Sequence, residues 1–148
     1  MGSSNNILGE LEHISAQHDG VLRAEDVVEY AKDADTALHD RFTWDNIEAG
    51  DQYRLWQARQ IIRVSVTMLP NHSKPVRAFV SMMDDRTGTG GGYRDIVSVF
   101  SNAKTREAFL AQALAELSGW EERYKTLEEL APILRAAARI RQRKAKAS

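Results

Sequence analysis

The stretch "VRAFVSMMDDRTGTGGGYRDIVSVF", residues 76–100, decides the fold class of this chain. Its two ends, "VRAFVSMM" and "YRDIVSVF", are rich in β-branched and aromatic residues, which is typical of β-strands. Between them, "RTGTGGGYRD" places four glycines within the five positions 88–92, where the chain can turn without steric restriction. The stretch therefore predicts a β-hairpin with a mobile, glycine-rich tip.

The glycine-rich tip does not match a phosphate-binding loop. Only the first half of G-x-G-x-x-G is present, Tyr93 stands where the last glycine would be, and a strand rather than a helix is predicted to follow. Arg86 and Arg94 flank the tip, however, and a hairpin with arginines can contact nucleic-acid phosphates. The hairpin is thus either a plain connection or a binding arm.

Before the hairpin, the apolar spacing is helical. "ILGELEHISAQH" predicts an amphipathic helix that ends near Asp19 and Gly20, and "RAEDVVEYAKDAD" predicts a second helix. "TALHDRFTW" is expected to form a short turn or helix that directs Leu38, Phe42 and Trp44 inward. "VSVTML", which stops at Pro70, predicts a strand before the hairpin.

A longer helix is predicted over residues 46–63, with Asp45 as its cap and Glu48 completing a capping box. At about 100° per residue, its apolar residues fall on one side. The other side carries Gln52, Tyr53, Trp56, Arg59, Gln60 and Arg63. Its aromatic rings either pack against a neighbouring element or contact nucleic acid, and Glu48 and Asp51 near the helix start would repel phosphates.

The C-terminal stretch "SNAKTREAFLAQALAELSGWEERYKTLEELAPILRAAARIRQRK" is helical in pattern, with Ser101 or Asn102 as its cap. Pro132 predicts a kink or break near Ala131. Apolar residues recur at steps of three and four, as in a heptad seam that joins subunits. The candidate oligomer interface consists of Leu110, Leu117, Trp120, Tyr124, Leu127 and Leu134, and the seam also includes Ala113, Ala131 and Ala138.

Together these patterns predict an α+β protein. It has a helical N-terminal half, a small antiparallel sheet with a glycine-rich hairpin, and a long kinked C-terminal helical segment. The order of helices, longer helix, strand and hairpin resembles a winged-helix arrangement in which the hairpin is the wing. We expect residues 1–102 to form one domain and residues 103–148 to form a helical segment with a basic tail.

The charge is divided unevenly along the 148 residues, although the net charge is only −1. Residues 1–60 carry 5 Lys and Arg against 12 Asp and Glu, whereas residues 61–148 carry 15 against 9. The basic tail either meets an anionic partner or complements a helix dipole. The candidate nucleic-acid-binding residues are Arg59, Arg63, Arg86, Arg94, Arg139, Arg141, Arg143 and Lys144.

The sequence contains no recognisable catalytic arrangement. No nucleophile is accompanied by an identifiable base, the four histidines lack zinc-ligand spacing, and cysteines are absent. Asp84 and Asp85 alone form a weak cation site. We therefore predict a protein that is not an enzyme, with no cofactor, no metal and no small-molecule substrate. With no apolar stretch near the length of a membrane span, we expect a soluble, unexported protein.

Several stretches resemble a family of small proteins encoded in tailed-phage and prophage genomes. They are "GVLRAEDVVEYAKDADTALHDRFTWDNIEAGDQYRLWQARQIIR", "VRAFVSMM", "YRDIVSVF" and "LAELSGWEERYKTLEELAPIL", and "LHDRFTWD" and "YRLWQAR" are the most specific parts. The similarity covers roughly residues 20–135 and implies a viral or prophage context without supplying catalytic residues. In that context the protein is expected in the host cytoplasm or in a virion.

Two functions follow as expectations. The first is a non-enzymatic phage or prophage protein, DNA-associated or regulatory, that binds through its basic tail and hairpin arginines. The alternative is a protein-interaction or virion-assembly component that oligomerises through its C-terminal helix.

Overall fold

The computed structural model describes residues 2–45, 49–86 and 91–147, and the chain forms two compact units, Met1–Asn102 and Ala103–Ser148. The first unit contains α1 Gly2–Gln17, β1 Val21–Leu22, α2 Ala24–Ala31, α3 Ala49–Val64, β2 Val66–Thr67, β3 Val76–Arg77, β4 Phe79–Val80, β5 Tyr93–Asp95 and α4 Ile96–Ser101. The second unit contains α5 Ala103–Tyr124 and α6 Ala131–Ala147. Short 3-10 helices span His39–Arg41, Met83–Arg86 and Glu128–Leu130. The predicted α+β class is confirmed.

The first helix ends where the sequence predicts. Leu11 and Ile14 on its apolar face are completely or almost completely buried. After the helix, Asp19 and Gly20 adopt positive φ values of 55° and 79°, and the Gly20 amide donates to the Ser15 carbonyl at 2.9 Å. A left-handed residue at this point satisfies a free carbonyl of the last helical turn, and glycine adopts that conformation without strain. The turn directs the chain into β1.

The core of the first unit joins α1, α2 and α3 to the segment between α2 and α3. Leu38 and Phe42 are buried, and Trp44 packs against them as a partly buried side chain, so their predicted inward direction is confirmed. Glu10 on α1 fixes this segment, because its carboxylate accepts hydrogen bonds from the backbone amides of Ala37 at 2.8 Å and Leu38 at 2.9 Å. The segment between α2 and α3 is thereby held against α1.

The three-stranded antiparallel sheet has the order β1-β5-β4. Phe79 pairs with Asp95 across β4 and β5, so the predicted hairpin is confirmed, although its tip at residues 87–90 lies outside the described part. The other edge of β5 pairs with β1. A Cβ atom at Gly92 would overlap Cγ1 of Val21 on β1, so this position admits only glycine without a shift of the neighbouring strand. The sheet thus places β5, the second strand of the hairpin, between β4 and β1.

The second strand of the hairpin is shorter than predicted. Tyr93–Asp95 is extended, but Ile96–Ser101 is helical, although the sequence pattern predicts that the strand continues to Phe100. The Asp95 carboxylate accepts hydrogen bonds from the amides of Val97 at 2.8 Å and Ser98 at 3.1 Å, which is the geometry of a helix N-cap. The cap outweighs the strand preference of "IVSVF", and the strand prediction over residues 96–100 is wrong.

The strands in "VSVTML" and "VRAFVSMM" are also shorter than the stretches over which they were predicted. Of the first, only Val66–Thr67 is extended, and it pairs antiparallel with Val76–Arg77 in a separate two-stranded sheet. Buried Ala78 separates β3 from β4, because its amide donates to the Ser65 carbonyl while its carbonyl accepts from the Ile96 amide. One predicted strand is therefore divided between two small sheets.

In the second unit, the C-terminal segment folds back as a helical hairpin. The break comes earlier than predicted, because α5 ends at Tyr124 and helical structure resumes at Glu128. Pro132 has no amide and would clash with the carbonyl of Glu128, so one helix cannot run through this point. The proline instead lies in the first turn of α6, where it is tolerated. The predicted interruption of the C-terminal helical segment is therefore confirmed, and it begins after Tyr124.

Candidate nucleic-acid interface

The outward face of α3 combines aromatic, amide and cationic side chains. Tyr53 and Trp56 are about half exposed, at 50% and 52%, so the expectation that they pack against a neighbouring element is wrong. Their rings stack on each other with centroids 5.7 Å apart and planes inclined by 16°. Ala58 and Ile62 on the opposite side are completely buried. The amphipathic division predicted for this helix is confirmed.

Arg54 holds α3 in this orientation, and the sequence analysis did not identify it. Its side chain is only 9% exposed, and Nη1 donates to the Thr43 carbonyl at 3.0 Å while Nη2 donates to Asp51 at 2.6 Å. The guanidinium also lies over the Trp44 ring, 5.4 Å from its centroid. Its position beside the inward-facing apolar residues of α3 could have indicated from the sequence that Arg54 faces inward. Because these contacts fix the inner side of α3, the side with Tyr53 and Trp56 faces outward.

The ion pair with Arg54 also changes the meaning of Asp51. From the sequence, the carboxylates of Glu48 and Asp51 are expected to repel phosphates from this helix. Asp51 is the single acid within Ala49–Val64, and its charge is neutralised by the guanidinium beside it. Glu48, and with it the predicted capping box, lies outside the described residues.

The remaining cations of this helix, Arg59 and Arg63, extend the outward face toward its C-terminal end. Arg63 is exposed and Arg59 is half-buried. Within the described ranges, the structure shows no salt bridge for either side chain. Both remain candidates for contact with an anionic partner.

At the hairpin, Arg94 is engaged inside the protein. Its Nε and Nη2 donate to the two carboxylate oxygens of Asp85 at 2.7 and 2.8 Å, and the Asp85 side chain is only 8% exposed. This hydrogen-bonded pairing raises the pKa of the Arg94 guanidinium, although burial opposes the shift. The Gly92 amide also donates to the Asp85 carbonyl at 3.1 Å. Arg94 closes the base of the hairpin, which argues against a primary role in phosphate contact.

Arg86, on the other side of the tip, is exposed but also has an intramolecular contact. Its Nε donates to the Ser81 hydroxyl at 3.2 Å. The two hairpin arginines therefore differ, since Arg94 binds a nearly buried carboxylate whereas Arg86 is exposed to solvent. A binding arm would rely on Arg86 first.

Arg141 on α6 forms hydrogen bonds to α5 within the second unit. Its guanidinium donates to both carboxylate oxygens of Glu121 at 3.1 and 3.2 Å. It also donates to the Leu114 carbonyl at 3.1 Å and the Ser118 hydroxyl at 3.0 Å. These four acceptor atoms on three residues of α5 leave the guanidinium little capacity for a phosphate. Its assignment as a nucleic-acid contact is replaced by a structural role.

The outward side of α6 carries a cationic stripe. Ala137 is buried and marks the inward side, and at about 100° per residue the stripe residues lie roughly opposite to it. All four stripe residues are exposed, and α6 contains no acid. Two of them, Arg139 and Arg143, were predicted site residues, whereas Lys144 is half-buried on another side. The cationic stripe consists of Arg135, Arg139, Arg143 and Lys146.

The candidate oligomer interface is only partly covered within the chain. No residue of α5 is buried, although this helix has 22 residues. Among the candidates, Leu110, Tyr124 and Leu127 are exposed at 43%, 42% and 48%. Leu117, Trp120 and Leu134 are half-buried.

Other kinds of site find less support in the described part of the chain. No group of three or more His, Asp or Glu side chains there could hold a metal ion. A groove of about 300 Å³ opens beside Ile7, Ile61 and Val66, with Arg41 at its lining. None of the helices described is both long and apolar enough to cross a membrane.

Comparisons of the chain with models of protein families, with curated proteins and with solved structures found no match.

Proposed function

We propose that this protein binds nucleic acid without catalysing a reaction, and that the cationic stripe on α6 supplies the contacts to phosphates. The observation that supports this most strongly is the separation of charge around α6. Four exposed cations share the outward side of a helix that contains no carboxylate. In this proposal the protein is DNA-associated or regulatory.

The spacing of the stripe suits a polyanion. Arg135, Arg139 and Arg143 follow one another at intervals of four residues, which places them about 6 Å apart along the helix axis. Each cation that neutralises a phosphate releases condensed counterions from the nucleic acid, which favours binding at low salt. The same cations near a helix C-terminus also complement the helix dipole, but that effect is limited to the last turn. Arg135 lies near the other end of α6 and has no such role.

The charge balance of the two units indicates where the nucleic acid would bind. Residues 1–102 carry 10 Lys and Arg against 15 Asp and Glu, so their net charge is −5. Residues 103–148 carry 10 against 6, so theirs is +4. Electrostatic attraction therefore favours the second unit, although the whole chain is close to neutral.

A salt titration tests this proposal. Binding of a labelled DNA duplex is measured by fluorescence anisotropy over a range of salt concentrations for the full chain and for Arg139→Gln/Arg143→Gln. The logarithm of the binding constant should fall linearly with that of salt, and the double variant should reduce the slope by about 2. Lys74→Gln/Arg77→Gln removes the same charge from exposed sites elsewhere and is the matched control. Binding that ignores salt, or an equal loss in the control, contradicts the proposal.

The resemblance to small phage and prophage proteins supports placing this activity in a phage or prophage. Under that hypothesis, the gene lies among genes for replication, transcription control or DNA handling. A position among capsid and tail genes would instead favour the assembly role.

A second candidate function is self-association through the C-terminal hairpin. It is favoured by the absence of any buried residue in α5, because a 22-residue helix that carries Leu110, Leu117 and Tyr124 ordinarily covers its apolar side. Light scattering tests it with Leu117→Asp, which should reduce the mass of an oligomer to that of one chain. Ala115→Asp, at an exposed position of the same helix, introduces the same charge as a control. A wild-type protein that is already monomeric refutes this candidate.

A further inference from the structure

We infer that the outward face of α3 binds unpaired bases, so that the nucleic acid recognised by this protein is single-stranded. The inference rests on the proposed nucleic-acid binding and specifies its substrate class. The α6 stripe contacts phosphates, which are present in single and double strands alike. The side chains of α3 can distinguish the two, because they include exposed aromatic rings.

The stacked pair of Tyr53 and Trp56 is already arranged for stacking. The two rings lie nearly parallel, and about half of each side chain remains exposed to solvent. Their mutual contact restricts the rotamers of both side chains, so less conformational entropy is lost when a base stacks on an outer ring face. Every base has a π-face, so such a platform accepts bases of any sequence.

The side chains around the stacked pair suit a polyanion. Arg63 is exposed on the same side, Arg59 borders it, and the amides of Gln52 and Gln60 can donate or accept hydrogen bonds. The single acid of the described helix, Asp51, forms an ion pair with Arg54, although its side chain is 71% exposed. A positively charged partner is therefore disfavoured at this face.

A duplex is disfavoured as the partner by the same geometry. In a duplex, each base is stacked on its neighbours, so its π-face is covered and an aromatic ring gains little by approaching. Bulky rings in the middle of the outward face would also separate the backbone of α3 from base edges in a groove. Unpaired bases remove both obstacles, because they can turn onto the rings while phosphates approach the arginines.

Parallel titrations of a short oligothymidylate and of a duplex of equal length test the inference, with anisotropy as the readout and the full chain as the protein. Trp56→Ala should weaken binding of the single strand about tenfold or more and should change duplex binding less than about twofold. Trp56→Phe keeps a ring and should retain most of the affinity. Val64→Ala, at the exposed last position of α3 and outside the set of side chains that forms this face, is the control. Tyr53→Ala is a second aromatic deletion, should Trp56→Ala prove unfolded by circular dichroism.

The outcomes separate this inference from the proposed function. If Trp56→Ala binds the single strand as the wild type does while Arg139→Gln/Arg143→Gln does not, nucleic-acid binding stands and the stacking role is overturned. An equal loss for duplex and single strand also overturns it, because α3 would then read a groove. If the Trp56→Ala protein has a different oligomeric mass from the wild type in the absence of nucleic acid, the stacking role is overturned in favour of a protein interface. If the wild type binds neither probe, the proposed function fails first.

Discussion

Arg94→Ala should destabilise the first unit, whatever the protein binds. The substitution removes both hydrogen bonds that the Asp85 carboxylate receives from the guanidinium, at 2.7 and 2.8 Å. That carboxylate is 8% exposed and lies at the base of the hairpin, so water cannot fully replace the lost donors. The sequence pattern predicts only a contact with phosphates for this arginine and gives no sign of a structural role.

The size of the effect follows from the burial of the two partners. Hydrogen bonds to charged groups contribute about 1.5–3 kcal/mol, and removing one partner of a fully buried ion pair costs about 3–5 kcal/mol. Arg94 itself is 31% exposed, which places this pair at the lower end. We expect a loss of about 2 kcal/mol, or roughly 8–16 °C in the melting temperature of a unit of about 100 residues.

Thermal unfolding monitored by circular dichroism measures this loss. Arg86→Ala is the matched control, because Arg86 is exposed, so we expect a change below about 0.5 kcal/mol. A double-mutant cycle with Asp85→Asn should give a coupling of about 1–3 kcal/mol. An unchanged melting temperature of Arg94→Ala, together with weaker nucleic-acid binding, would refute the structural role.

Three further perturbations test the described contacts. Gly92→Ala should cost about 1–3 kcal/mol of unfolding free energy because its Cβ has no room beside β1, whereas Gly9→Ala, in open space on α1, should not destabilise. Burial and, to a lesser extent, the charge of Asp95 raise the pKa of the Glu12 carboxyl. The free energy of unfolding should therefore decrease as the pH rises from 4.5, the ordinary pKa of this group, through the raised pKa. Glu12→Gln should flatten that part of a pH series of melts, and an unchanged series refutes the shift. Arg141→Ala should cost about 1–2 kcal/mol and speed amide exchange in α6, while exposed Arg143→Ala should not, and equal exchange in both contradicts the interhelical role.

Periodic patterns predicted the parts of the fold that depend on local sequence. The end of α1 at Asp19 and Gly20, the division of α3 into two sides and the β4–β5 hairpin all follow from spacing and turn residues. The strand predicted over residues 96–100 failed for a local reason that was overlooked. Asp95 caps a helix, and two hydrogen bonds to its carboxylate outweigh the strand preference of the apolar residues that follow.

For the candidate site, too, some features could be predicted from the sequence and others could not. Of the cationic stripe, Arg139 and Arg143 were among the predicted site residues, whereas Arg135 and Lys146 were not. The contacts of Arg94 with Asp85 and of Arg141 with Glu121 could not be anticipated. Arginines at nine and twenty residues from their partners look the same in sequence as arginines that face solvent.

The sequence by itself determined the α+β class, the main helices and the location of the basic tail, because these depend on periodicity and composition within short windows. Only the tertiary structure decided which cations are free and which aromatic rings are exposed. A charge or a ring takes its role from its partners, and those partners are brought together by packing rather than by spacing. Arg54 shows this most directly, since its contacts with Thr43 and Asp51 leave Tyr53 and Trp56 facing outward.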